Sequence, residues 1–417
     1  MGWPTRPPQP IMHLRMPPTI YLSALFLGLL CPVSGPAVAR VTTPSATPAT
    51  STQTTKPSFD QLAKLADDAR TAEHIPDAIR LYRSALRERP SWPDGWWYLA
   101  TLLYDQDRFD EAGSAFARFA GLAKDPKPAY AFLGLCEYET RDYDNALKHL
   151  QKWATAGSPG DEQVRRVADY HLALLLTREG QFAEALYLLT SIAEKRGANP
   201  ALVEAMGLAS LRMNNVPEDY APEARERVWL AGQAILYSSL RNHQLAYEYA
   251  EKLVMHYGGE CNVHFLRGTL FSLDKQRSSD AAQEFEQELN ISPRHVPAMI
   301  ALALIYSEQH RAEDAVSIAR RATEAEPKSA LAHDALGRSL LAAGRLDESA
   351  TEFFAAKKLA PDVPAIRLRL SDVYQKLGRT KEAAQERDAF DSLTKRAGSA
   401  ARGTKSSTHP VPKRGRK

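Results

Sequence analysis

His256, Cys261 and His264 stand in an H-x4-C-x2-H spacing. Neutral imidazole and thiolate are metal ligands, so one further donor would close a tetrahedral site. Their local context argues otherwise: they straddle Gly258-Gly259, a loop between helices, and His264 opens the next helix. No metal and no cofactor is assigned. Nor does the chain contain a P-loop, a GxSxG elbow, an HExxH pair or a dinucleotide glycine fingerprint. Its Asp and Glu residues are scattered as on solvated helix faces, so the sequence reads as that of a non-enzyme without a small-molecule substrate. The remaining alternative for chemistry is an enzyme or metal site in the irregular stretch 214–264. Trp96, Trp153 and Trp229 read as core aromatics rather than a cofactor box.

Something must position these groups, and the prolines show what. Pro293, Pro327 and Pro361 recur every 34 residues. Taking each as position 32 puts Ala281 and Ala315 at position 20, with Ser349 in their place in the third block. Phe285, Ala319 and Phe353 fall at position 24. The same ruler fits blocks starting at Phe59, Pro93, Lys127, Arg166, Val296, Ala330 and Pro364. Each block holds two amphipathic helices whose apolar residues recur at i, i+3 and i+4. Gly180, Gly344 and Gly378 stand at position 15, where the first helix must end and a left-handed residue costs least.

This pattern resembles the tetratricopeptide repeat, W-x2-L-G-x2-Y … A-x3-F … P, over residues 59–395. The resemblance implies an all-α solenoid, a right-handed superhelix of antiparallel helix pairs, because no block can bury its apolar stripe alone. Arg387 replaces the apolar residue at position 24 of the last block, as suits a solvated end. The register breaks at Ser158–Arg166 and, more deeply, at Asn214–Pro222. The expected organisation is therefore a front solenoid (59–213), an irregular segment (214–226) and a rear solenoid (227–395).

The two ends differ from the body. Arg6 and Arg15 precede an apolar run from Thr19 to Leu30, and Ala37-Val38-Ala39 follows. We read residues 1–39 as an export signal cleaved before Arg40, which places the mature chain in the periplasm or cell envelope. Retention of residues 19–31 as a membrane anchor is the alternative, with the basic tail on anionic lipid or polymer. Residues 40–57 form a Thr/Pro/Ser-rich linker, and 396–417 a basic tail without an acid. The net charge of +3 excludes a strongly basic chain, and nucleic acid is not an expected partner.

The resemblance is to bacterial envelope proteins of this repeat class, which act as scaffolds for other polypeptides. It implies that first-helix positions 2, 5, 9, 12 and 13 line a concave groove for a protein or peptide. Asp67, Trp97, Thr101, Tyr104, Tyr138 and Tyr170 occupy such positions in the front half, and Arg338 in the rear. The front set is aromatic and acidic, which fits an extended peptide with apolar anchors and some basic residues.

Overall fold

The helix boundaries carry the 34-residue ruler. A computed structural model describes residues 57–403, and the expected signal, nearly all of the linker and the last residues of the tail lie outside them. First helices begin where blocks were counted: α1 (Phe59–Thr71), α3 (Pro93–Tyr104) and α5 (Lys127–Glu139). Their second helices are α2 (Ile75–Glu88), α4 (Phe109–Leu122) and α6 (Tyr143–Thr155). With the first part of α7 (Glu162–Arg178) they form one compact unit, ending at His171.

The second unit begins at Leu172, so the division falls inside α7 and the irregular segment lies wholly in this unit. Its helices before that segment are α8 (Phe182–Arg196) and α9 (Pro200–Ser210). After it come α10 (Arg225–Ser239), α11 (His243–Tyr257), α12 (Val263–Ser272) and α13 (Ser278–Ile291). Three further pairs follow in strict register: α14 (Val296–Glu308) with α15 (Ala312–Ala325), α16 (Ala330–Ala342) with α17 (Leu346–Leu359), and α18 (Pro364–Lys376) with α19 (Thr380–Gly403). The last helix thus continues beyond 395. Among the described residues there is no strand, and no helix is long and apolar enough to cross a membrane.

Local chemistry explains the boundaries. Ser58 and Gln61 form a reciprocal capping box at the start of α1. Position 15 is left-handed wherever the register is kept: in Gly180, Gly344 and Gly378, but also in Glu73, Asp107, Arg141 and His310. The turn geometry therefore outranks the preference for glycine and strains those side-chain-bearing residues modestly. Position 24 supplies the floor of each pair, with Tyr82, Phe116, Leu150, Phe285 and Phe353 essentially without solvent contact. Ser349 keeps a small side chain at position 20 and donates to the Gly337 carbonyl at 2.7 Å. Ser371 donates in turn to the carbonyl of Ala383 at 2.8 Å. These hydroxyls sit in tight helix contacts with their hydrogen bonds made, so burial costs them little.

Two features of the second unit depart from the simple repeat. The α9 and α10 backbones meet at a reciprocal glycine contact. A Cβ on Gly207 would press into the Val228 carbonyl, and one on Gly232 into that of Val203. The segment between these helices is held down rather than projecting: Val216 is buried, Asn214 donates to the Arg178 carbonyl at 3.1 Å, and the Tyr220 hydroxyl donates to Glu204. The second feature links α12, α13 and α14. Glu288, with no solvent exposure, accepts from the backbone N–H groups of Asn262 (2.8 Å) and Phe265 (3.2 Å). Asn262, left-handed at φ +71°, pairs through Oδ1 with His295 Nε2 at 2.9 Å. His295 Nδ1 accepts from the Ala298 N–H at 3.0 Å, capping α14.

Candidate protein-interaction surface

The helix faces expected to meet a partner divide sharply between the units. In the first unit half of them are interior. Thr101 and Tyr170 are 1% exposed and Tyr138 6%. Trp97 lies 5.6, 5.0 and 5.6 Å from the rings of Phe116, Phe119 and Phe132. Tyr104 packs on Phe109 and Phe132, and burial pushes its phenol pKa up. Tyr138 lies against Tyr143 and His171, and Tyr170 against His171. Only Asp67 of that set is exposed, and it is engaged by Arg70, which also donates to the Tyr82 hydroxyl at 3.2 Å.

The front set is therefore divided: Thr101, Tyr138 and Tyr170 are buried, Trp97 and Tyr104 are half-buried among aromatic rings, and Asp67 is exposed. The physical reason is that α3 and α5 are apolar around most of their circumference and so bury most of it. His171 belongs to this interior. Its Nδ1 donates to the Val167 carbonyl at 2.8 Å, and complete burial lowers its pKa to about 4, so the ring is neutral.

The second unit keeps a polar first-helix face. Asp334 of α16 is 8% exposed, and its carboxylate accepts from Arg369 Nη1 of α18 at 2.8 Å. Burial raises its pKa against the pull of Arg369 and Arg338. Arg338, one turn further along α16, is half-buried and makes no hydrogen bond or ion pair with any described residue. Burial first, and then the neighbouring Arg369, hold its pKa below the usual guanidinium range. Two guanidinium groups thus draw on Asp334, with Glu308 a further carboxylate acting on Arg338. Removing charges from water without full compensation is costly, and an added anion would relieve that cost. Asp372 and Lys376, further along the same face, are exposed. Arg369 was not anticipated from the sequence, because it falls outside the groove positions that the repeat implies.

The remaining candidates have structural employment. His264 pairs with Glu284 at 2.7 Å, and Arg267 with both Glu284 and Glu251 at 2.6 Å. Cys261 is exposed beside Ser292 at 3.1 Å, and no trio of His, Cys, Asp or Glu among the described residues converges as a metal site would require. Trp153 is fully buried, whereas Trp229, expected in the core, is 40% exposed: it stands about 100° round α10 from the buried Val228.

Comparison with known proteins agrees with this architecture. The family profile described as Tetratricopeptide repeat matches residues 63–127, 300–364 and 335–399. Bacteriophage adsorption protein A of Escherichia coli K12 is 35% identical over 97 residues, 23% of this chain. The chain spans about 10% of the length of that relative. A MamA RS-1 double mutant covers 42% of this chain and is itself covered to 97%, at 15% identity and a TM-score of 0.39. MamA from residue 41 onward, from Desulfovibrio magneticus RS-1, covers 41% and is covered to 96%, at 15% identity and a TM-score of 0.38. In these matched segments, and in the register of its helix pairs, the chain carries tetratricopeptide repeats.

Proposed function

We propose that this protein is a non-enzymatic scaffold of the bacterial cell envelope that holds a polypeptide partner on the first-helix face of its second unit. The observation that carries this reading is Arg338, a half-buried guanidinium that makes no hydrogen bond to Asp334, whose carboxylate accepts from Arg369, and that is otherwise acted on only by Glu308. An acidic side chain or chain end of the partner supplies the missing counter-charge. Charge-assisted hydrogen bonds of this kind contribute about 1.5–3 kcal/mol, roughly ten- to a hundredfold in affinity. This moves the docking face to the rear repeats and inverts the partner charge that the front residues implied.

The test places a photo-crosslinking residue at Asp372, exposed on α18, in the full chain in its native cells. One dominant partner should be captured by the otherwise unaltered chain and at least tenfold less by Arg338→Ala, with the circular dichroism unchanged. Equal capture by both refutes the assignment. The envelope location is tested by N-terminal sequencing of the fractionated protein: a chain beginning at Arg40 in the periplasmic or envelope fraction is expected, and an intact N-terminus in the cytoplasm overturns it.

A further inference from the structure

A second surface lies on the side of the first unit built by its second helices. Two hollows flank α4, of about 560 and 520 Å³, with Asp110 and Ser114 common to both linings. The first is floored by Trp96 and Leu99 and edged by Arg118; the second is floored by Tyr130 and Leu133 and edged by Lys152. These are the same register positions in consecutive blocks, 34 residues apart: aromatic at position 4, leucine at 7, cation at 26.

Among the blocks that keep the ruler, the pairing of aromatic and cation occurs in these two alone. Positions 4 and 26 are Leu62 and Ser84 in the block before, Asp169 and Ser191 in the block after, and Met299 with Arg321, His333 with Ala355, and Arg367 with Ala389 further on. The repeat folds without it, so packing does not demand it. Charge points the same way. Of the acids in the two linings, Glu111 is engaged by Arg83 and Arg108 and Glu137 by His149 at 2.7 Å; Asp110 sits in the first turn of α4. Arg118 and Lys152 are exposed, and Lys152 lies 5.0 Å over the Tyr130 ring. Each hollow thus offers an apolar floor next to a cation without a carboxylate partner.

We propose that this strip docks an acidic, apolar peptide segment of a partner protein, in which two large apolar side chains seat in the hollows and adjacent carboxylates meet Arg118 and Lys152. Two equivalent hollows in tandem read a repeated apolar–acidic unit, and engaging both at once raises affinity beyond either alone. The surface is separate from the Arg338 face and stands or falls independently of it.

The probe is a fluorescein-labelled peptide carrying two Phe-Glu pairs separated by a short Gly/Ser spacer, with a Phe-Lys peptide as its counterpart. Binding to the full chain is read by fluorescence anisotropy at two salt concentrations. The acidic peptide should bind, more weakly as salt rises, and Arg118→Glu with Lys152→Glu should weaken it about tenfold. The same double variant should bind the Phe-Lys peptide more tightly than the parent chain does, which a merely unfolded variant would not. Arg338→Ala should leave both affinities unchanged. Absence of binding, or an affinity indifferent to the charge reversal, overturns the proposal. So does self-association of the chain that the reversal abolishes while neither peptide binds, since the occupant is then a second copy.

Discussion

Replacing Gly207 with alanine isolates a single backbone contact. Alanine is the better helix former by about 1 kcal/mol, so propensity alone predicts a more stable protein. The contact between α9 and α10 opposes this. The new methyl would lie 2.7 Å from the Val228 carbonyl carbon and closer still to its oxygen, and the reciprocal position, Gly232, faces the Val203 carbonyl carbon at 2.8 Å. Ordinary contact between such atoms is about 3.5 Å, so the helices must part by roughly 1 Å. No rotamer change can relieve a clash with backbone, which puts the cost at the upper end of the ~1–3 kcal/mol typical of overpacking, or beyond it. The net expectation is a loss of about 2 kcal/mol. At about 2–4 °C per kcal/mol, the melting transition of the second unit falls by roughly 4–8 °C.

Thermal denaturation followed by circular dichroism measures this, with Gly121→Ala as the control, because a Cβ there meets nothing within 4 Å. Gly207→Ala with Gly232→Ala should cost clearly less than the sum of the two, since the first substitution already opens the interface that the second would open. If Gly207→Ala is as harmless as Gly121→Ala, the helices are not in backbone contact and the reasoning fails.

Two further outcomes concern buried titratable groups. The folded state keeps His171 neutral down to about pH 4, whereas the unfolded chain protonates it near 6.5, so its contribution is complete above pH 6.5 and is lost as pH falls towards 4. That loss amounts to about 3 kcal/mol. His295, also lowered to about 4 by burial and by Arg212, adds in the same direction, and urea midpoints between pH 7 and 4 should fall less steeply in His171→Phe. Cys261 is exposed, while Cys136 is buried with its thiol pKa pushed up. Mass mapping after alkylation of the native protein should find Cys261 modified and Cys136 only once the chain is denatured; equal modification would contradict the packing of α5.

The repeat was legible because its signals are local. Proline at 93, 200 and 364 sits at the first position of a helix, where its missing N–H costs nothing. Small residues at position 20, Ala281, Ala315 and Ser349, then reveal the paired helices. The orientation of the first-helix faces was not legible by position alone. Position rules place Trp97, Tyr104 and Tyr138 in a groove, yet Trp97 and Tyr104 both pack on Phe132 and Tyr138 packs on Tyr143 and His171. The all-round apolar character of α3 and α5 was the available warning. Arg338 was recognised as a groove residue, but its competition for Asp334 depends on Arg369, a residue on the next first helix that no spacing within one block discloses. The irregular segment hid its anchors for the same reason: Asn214 reaches Arg178 across 36 positions of sequence.

The bonds that join Glu288, Asn262 and His295 have a consequence for how the second unit comes apart. In a linear array each repeat is held by its neighbours, and the ends fray first. Here the start of α12 is held twice, directly to the start of α14 by the Asn262–His295 hydrogen bond and to α13 by the Glu288 carboxylate, which has no solvent contact. Peeling α14 away strands the Asn262 side chain, and peeling α13 away strands two amides at the head of α12. Unzipping from the C-terminal side therefore advances in small steps until it meets this junction, where three helices must let go together. Amide hydrogens from Asn262 to Ala298 should exchange as one block, a latch in the middle of a chain that otherwise opens link by link.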